Sequence, residues 1–355
     1  MTLTRLKLVH FRGYQNLELG FEPGMTAILG RNGAGKTNLA EAIYFLSLAR
    51  SWRCLDDRLL IQNGESLAYI EADVSEGNLR RTIEIEIGKQ NKKIRINGKP
   101  IRKLSELSRL VNVISFAPED VSLFTGSPKL RRSFLDASLS KFDGEYLDLI
   151  IQSNRLLHER NAALKAQNVD LRLLDTYDEQ LARLAEPIVE KRTAYVARLN
   201  GSVSKTLSAL RKDEATGEII YRSFLPLGED FQARALALYR QARDSDLLYR
   251  STSLGIHRED FQFLLRGKDV AHYGSQGENR LCALALELAP YDLIEDPAKK
   301  PICVLDDVTS ELDEIRVRNL MALLQGYSQV FLTATELDYP AASIVEVSDH
   351  QAIRR

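Results

Sequence analysis

Two hydrophobic periods divide the chain. In its N-terminal part, residues 6–11 have the composition of a strand closed by Arg12 and Gly13, and residues 21–29 pass through the Pro23-Gly24 turn into the apolar run Met25-Thr26-Ala27-Ile28-Leu29. Ala68, Ile70, Ala72 and Val74 alternate with Tyr69, Glu71 and Asp73, and Ile83, Ile85 and Ile87 alternate with Glu84 and Glu86. That alternation predicts antiparallel strands with one wet face. Ile94 and Ile96, followed by Asn97-Gly98, predict a tight hairpin beside them.

From residue 142 to 210 the period lengthens. Leu174, Tyr177, Leu181, Leu184 and Ile188 step by three or four, as do Leu199, Val203, Leu207 and Leu210. The pattern predicts two antiparallel helices, with the polar stretch 165–170 as their bend and Pro187 ending or kinking one of them. At about 1.5 Å of rise per residue such an arm projects a few tens of ångströms at most, too short for a long coiled coil. Beyond residue 251 strands resume, and Ile302-Cys303-Val304-Leu305 and Gln329-Val330-Phe331-Leu332 read as buried runs.

Chemistry concentrates where strand turns to helix. Gly30-Arg31-Asn32-Gly33-Ala34-Gly35-Lys36-Thr37 sits between the 25–29 strand and a helical run that starts at Asn38. Its glycines let the backbone curl with N–H groups inward, Lys36 adds a point charge for the outer phosphates, and the Thr37 hydroxyl suits Mg²⁺. The strand 302–305 ends in Asp306 and Asp307. Asp306 is the expected magnesium carboxylate opposite Thr37, typically through water, and Asp307 is placed to orient or deprotonate the attacking water. Ser275-Gln276-Gly277-Glu278 opens an apolar helix over 281–289 and also reads as a capping box.

Composition narrows the function. With 355 residues, 44% hydrophobic and 27% charged, the chain is an ordinary globular protein able to hold two or three domains. Cys54, Cys282 and Cys303 form no CxxC pair, which argues against zinc and disulfides. Neither a leader-type segment nor an apolar run of bilayer length is found, so a cytoplasmic, membrane-free protein is expected. A formal charge of −1 gives no global sign of nucleic-acid binding, so DNA contact rests on local patches. Lys89, Lys92, Lys93, Arg95, Lys99, Arg102 and Lys103 crowd the hairpin, and Lys129, Arg131 and Arg132 follow the Gly126-Ser127-Pro128 turn. Each cluster is as consistent with a solvated surface as with phosphate contact.

The order of these parts is specific. A phosphate loop, Ser-Gln-Gly-Glu opening a helix, a strand ending in paired acids, then Ser310-Glu311-Leu312-Asp313 resembles the Walker A, signature, Walker B and D-loop order of ATP-binding-cassette proteins. With Phe11-Arg12, the loop from Gly30 to Asn38, Phe116-Ala117-Pro118-Glu119-Asp120, Arg131-Arg132 and His257-Arg258-Glu259-Asp260, the chain resembles the RecF family of bacterial recombination and repair ATPases, relatives of Rad50 and the SMC heads. The resemblance implies an α/β ABC-type ATPase head, with mixed sheets around a P-loop core and an inserted helical arm domain. Residues 1–128 and 251–355 would form the two parts of the ATPase lobe and 129–250 the arm. It also implies ATP and Mg²⁺ as cofactors, and an ATP-dependent homodimer in which the loop from Gly30 to Asn38 of one copy meets Ser275, Gln276, Gly277 and Glu278 of the other. Duplex DNA near single-strand gaps would be bound, with RecR and RecO as partners in loading RecA, and DNA-stimulated ATP hydrolysis would be weak.

The chain departs from the general cassette pattern. Asp307 stands where a catalytic Glu is usual, 333–335 lacks a switch histidine, and Pro118-Glu119-Asp120 replaces the Q-loop glutamine. One methylene less on the catalytic acid implies slow hydrolysis. Two other classes share the phosphate loop: the ATPase subunit of a membrane transporter, which usually carries the missing histidine, and a small-molecule kinase, which has no use for the signature.

Overall fold

The computed structural model describes residues 1–355, the side chain of Glu311 excepted. An antiparallel sheet with order β2-β1-β4-β5-β6-β7 contains β1 (Thr2–Phe11), β2 (Tyr14–Gly20), β4 (Leu67–Glu76), β5 (Leu79–Gly88), β6 (Lys92–Ile96) and β7 (Lys99–Pro100). The predicted alternations and the Asn97-Gly98 turn fall within it. A second sheet, β15-β14-β3-β13-β12-β8, is parallel except for its edge strand β15. It comprises β3 (Gly24–Leu29), β8 (Val113–Phe116), β12 (Ile302–Asp306), β13 (Gln329–Ala334), β14 (Ser343–Ser348) and β15 (Gln351–Arg354). A small antiparallel sheet joins β9 (Gly217–Arg222), β10 (Asp260–Leu265) and β11 (Lys268–Asp269).

The helices are α1 (Lys36–Leu48), α2 (Leu104–Ser108), α3 (Pro128–Phe142), α4 (Gly144–Leu164), α5 (Leu171–Arg211), α6 (Phe231–Gln241), α7 (Arg243–Tyr249), α8 (Val270–Tyr273), α9 (Gln276–Leu288) and α10 (Glu314–Leu324). The parallel sheet divides the core because successive strand residues face opposite sides. Ile302 and Val304 join a cluster containing α1 and the inner face of the antiparallel sheet. Cys303 and Leu305 join another, built from α9, α5 and the helices before them. Helix α1 lies between two sheets, which is why nearly all its side chains are buried.

Two sequence expectations about the helical region are corrected. Pro187 does not end a helix: α5 continues unbroken through it for 41 residues, about 60 Å at α-helical rise. The carbonyl deprived of its partner by Pro187 belongs to Arg183, which is exposed, so water can satisfy it. Nor is α5 a free-standing arm. It packs against α4, α6, β9, α9 and α10, and its buried residues belong to the cluster that includes the signature helix.

The segment 257–260 is a structural knot. Glu259 is 2% exposed and accepts from the Arg192 guanidinium, the Tyr221 hydroxyl, Ser223 Oγ (3.0 Å) and the Phe224 N–H (3.1 Å). Arg192 also donates to Asp136 (2.7 Å) and to the Ile256 carbonyl (3.0 Å). Asp260 takes a two-point contact from Arg131, at 2.7 and 2.9 Å. His257 and Arg258 both donate to the Thr252 carbonyl. The four residues therefore tie α3, α5 and β10 together. Removing one partner of a buried ion pair leaves a charge without compensation. Arg192→Leu is expected to destabilise the fold by about 3–5 kcal/mol, read as a lower denaturant midpoint; a loss below about 1 kcal/mol would contradict this reading.

Candidate nucleotide site

The phosphate loop ends on an uncapped helix. Gly35 is the N-cap of α1, with φ 116°, and it offers no side chain to the first-turn N–H groups. These donors face the loop without an acidic residue beside them, an arrangement that attracts anions. Gly33, with φ 80°, supplies another left-handed bend, while Arg31 and Asn32 are exposed at the loop tip. Lys36 Nζ donates to the carbonyls of Gly30 (2.7 Å) and Arg31 (3.0 Å), so its charge lies across the loop mouth. Burial pulls the Lys36 ammonium below its ordinary range, and Asp307 and Asp306 oppose that pull.

Strand order brings the acids to this loop. β13 separates β3 from β12, so the ends of all three strands lie side by side. Asp306 Oδ1 accepts from Thr37 Oγ1 (3.1 Å) and from Thr333 Oγ1 (2.7 Å), and Thr333 Oγ1 in turn accepts the Asp307 N–H (3.0 Å). Burial pushes the Asp306 carboxyl above its ordinary range; the two threonine hydrogen bonds oppose this, and Asp307 and Glu119 reinforce it. Thr37 and Asp306 form an oxygen-only pair, which suits Mg²⁺. Asp307 is held with φ 50° next to this pair.

Thr333 is a residue that the sequence reading passed over, since it searched 333–335 only for histidine. A hydroxyl at the end of a buried apolar run is legible in the sequence; its place beside the acid strand comes from strand order alone. Arg12 is a second. Its Nε and Nη2 reach Glu41 of α1 at 2.8 and 2.7 Å, and Ser51 also donates to this fully buried carboxylate. At the Q-loop position, Asp120 turns back to accept the Ala117 N–H (2.8 Å), and Glu119 remains exposed.

The signature stretch forms a different place. Ser275 Oγ accepts the Glu278 N–H (3.3 Å), and Glu278 Oε2 accepts the Ser275 N–H (3.0 Å) and hydroxyl (2.9 Å). Hydrogen bonds from the Ser275 backbone and side chain hold the Glu278 carboxyl below its ordinary range. Ser275, Gln276 and Gly277 are exposed. Ser275, Gly277, Glu278 and Arg280 line a cavity of about 170 Å³ together with Asp313 and Arg316, so the signature and the Leu312-Asp313 stretch meet there. The Glu311 side chain, part of the expected D-loop, lies outside the described residues.

The basic clusters are altered by the fold. Arg131 spends its guanidinium on Asp260 and on the Phe124 and Gly126 carbonyls, and Arg132 donates to the Glu259 carbonyl. Arg131 is withdrawn from the candidate DNA surface because its donors are used internally, whereas Arg132 is half-buried and gives one N–H to that carbonyl. Lys92 binds Asp57 (2.6 Å) and the Ala49 carbonyl. Lys93 pairs with Glu86 across the sheet at 3.1 Å, and Arg95 stands opposite Glu84. Lys89, Lys99, Arg102 and Lys129 remain as exposed cations.

The hydroxyl at 333 holds the acid that faces Thr37. Thr333→Val, which keeps the shape and removes the hydrogen bonds to Asp306 and Asp307, is expected to lower nucleotide turnover about tenfold or more, since small displacements of reacting groups carry large rate costs. Steady-state phosphate release checks this, and turnover at the unaltered rate would contradict it.

The RecF/RecN/SMC N-terminal domain family matches residues 2–348. The RecF DNA replication and repair protein of Clostridium perfringens is 35% identical over 340 residues, covering 95% of this chain and 94% of that relative. A structure described as the recombination mediator protein RecF with ATP in the RecFOR pathway superposes with a TM-score of 0.91 at 32% identity, over 99% of this chain and 97% of the other. An Smc head bound to the C-terminal winged-helix domain of ScpA, at 17% identity and a TM-score of 0.59, covers 100% of this chain and 97% of its own and shares the fold. The chain belongs to the RecF family of DNA replication and repair proteins, within the RecF/RecN/SMC group of ABC-type ATPases.

Proposed function

We propose that the protein is an ATP-dependent DNA clamp of recombinational repair and replication restart, in which two copies close face to face around two ATP molecules. The observation that carries this reading is the separation of two half-sites within one chain. The phosphate loop, Asp306 and Asp307 form one half; Ser275, Gly277 and Asp313 line a cavity to which no phosphate-loop residue contributes. In a closed pair the N-terminus of α9 would meet the γ-phosphate bound by the partner, with Ser275 released from Glu278. Lys36 and the α1 N–H groups would hold the phosphates, and Thr37 and Asp306 would hold the Mg²⁺, which would supply charge neutralisation to the phosphates when bound. Asp307 would orient the attacking water. Its short side chain supports slow turnover, suited to a timed clamp. The long-armed reach of the SMC relatives is replaced by α5 folded against the body.

The DNA part of the proposal follows from the relatives' names as replication and repair proteins and from the RecFOR pathway of the solved structure. RecR and RecO are the proposed partners in loading RecA. DNA-stimulated hydrolysis is part of the same proposal. Pairing would bring two copies of the exposed Lys89, Lys99, Arg102 and Lys129 together, so that weak patches act with avidity. Among the described residues, no helix is long and apolar enough to cross a membrane.

Ser275→Arg is expected to leave mant-ATP binding within about twofold of wild type and to abolish ATP-dependent dimers in sedimentation. Normal dimers in this variant would place the signature outside the interface. Duplex DNA is expected to bind at least about tenfold more tightly with ATP than with ADP, and Lys89→Glu with Lys129→Glu to flatten the salt dependence of that affinity. Equal affinity with both nucleotides and no dimer would contradict the clamp.

A further inference from the structure

The turn joining β14 to β15 reaches back onto the phosphate loop. Asp349 and His350 both take left-handed conformations there, with φ 48° and 58°. The His350 N–H donates to the Ala34 carbonyl at 3.0 Å. Next along the loop, the Gly35 carbonyl accepts the first helical bond of α1 from the Leu39 N–H at 3.2 Å, and the Tyr14 hydroxyl adds a second donor to it at 3.0 Å. The His350 imidazole stands edge-on to the Tyr14 ring, 6.0 Å between centroids and at 81°. It also fills the space over two glycines: a Cβ on Gly13 would come within 2.3 Å of the ring, and one on Gly35 within 2.7 Å of Nδ1.

These contacts act on peptide planes. A trans peptide points its C=O and the following N–H in opposite directions. Tying the Ala34 carbonyl to the hairpin therefore turns the Gly35 N–H away from it, and the Tyr14 hydroxyl, added to the helical bond from Leu39, holds the Gly35 carbonyl so that the Lys36 N–H points the other way. Both are donors that a phosphate cradle needs. Sequence motifs for this loop run from 30 to 37 and give no hint of a residue more than three hundred positions away.

We propose that His350 is a positioning residue for nucleotide binding: with Tyr14 it fixes the orientation of two successive phosphate-loop peptides before any phosphate arrives. This rests on the phosphate loop being the nucleotide site, as proposed above. The imidazole acts as a spacer that sets the distance from the hairpin to Gly13 and Gly35, and its own backbone N–H makes the bond to the loop.

The test uses the full chain and measures mant-ATP and mant-ADP affinity, ATP turnover and the nucleotide-free thermal midpoint for four variants. His350→Ala and Tyr14→Phe are each expected to weaken both nucleotides by about tenfold and by the same factor, raising KM with little change in kcat. Gly13→Ala alone is expected to weaken binding similarly, because its methyl displaces the ring. In the double variant Gly13→Ala with His350→Ala, that methyl enters vacated space, so the second substitution adds less than about twofold. Unchanged affinity in His350→Ala and Tyr14→Phe overturns the proposal. So does a cycle whose effects simply multiply, or an affinity loss matched by a collapse of the nucleotide-free thermal midpoint, which would make the contact merely structural. Failure of the wild-type protein to bind mant-ATP would instead refute the nucleotide assignment itself.

Discussion

Two helix beginnings with opposite endowments govern this molecule. The first turn of α1 has bare N–H groups and no capping side chain. The first turn of α9 is closed by reciprocal hydrogen bonds between Ser275 and Glu278. A bare helix end beside a glycine-rich loop is an electrostatic demand that an anion satisfies. The capped end is at rest without one. On the reading offered here, ATP satisfies the first alone and the second only when another copy brings it near.

The rest of the fold holds that first helix end rigid. α1 is clamped between two sheets, and the buried Glu41 and Arg12 pair fastens it to the β1–β2 turn. β13, inserted between β3 and β12, supplies the hydroxyl that sets Asp306 against Thr37. Behind α9, the second core continues through α5 into the Arg192 and Glu259 network. The signature helix therefore shares one packed core with the helical region.

What could be read from the sequence was local in origin. The Gly30 to Thr37 loop, the alternating strands, the Asn97-Gly98 hairpin and the Ser275/Glu278 cap each depend on residues within a few positions of one another. What escaped depended on distant partners. Pro187 reads as ending or kinking a helix, and the first of these does not happen, because α5 is packed on both sides of it. Arg131 and Arg132 read as surface cations, but the Asp260 carboxylate and Glu259 carbonyl that they bond, at and just before the start of β10, lie far along the chain. Thr333 and His350 carry no motif. Their position beside the site is fixed by strand order, which periodicity does not encode.

The central claim is that one chain holds half of a nucleotide-hydrolysing site. The most direct test is specific ATP turnover per subunit measured across a wide range of protein concentration. Two half-sites predict a rate per subunit that rises with concentration and then saturates once pairs form. A rate per subunit that stays constant down to concentrations where sedimentation finds only monomer would contradict the account.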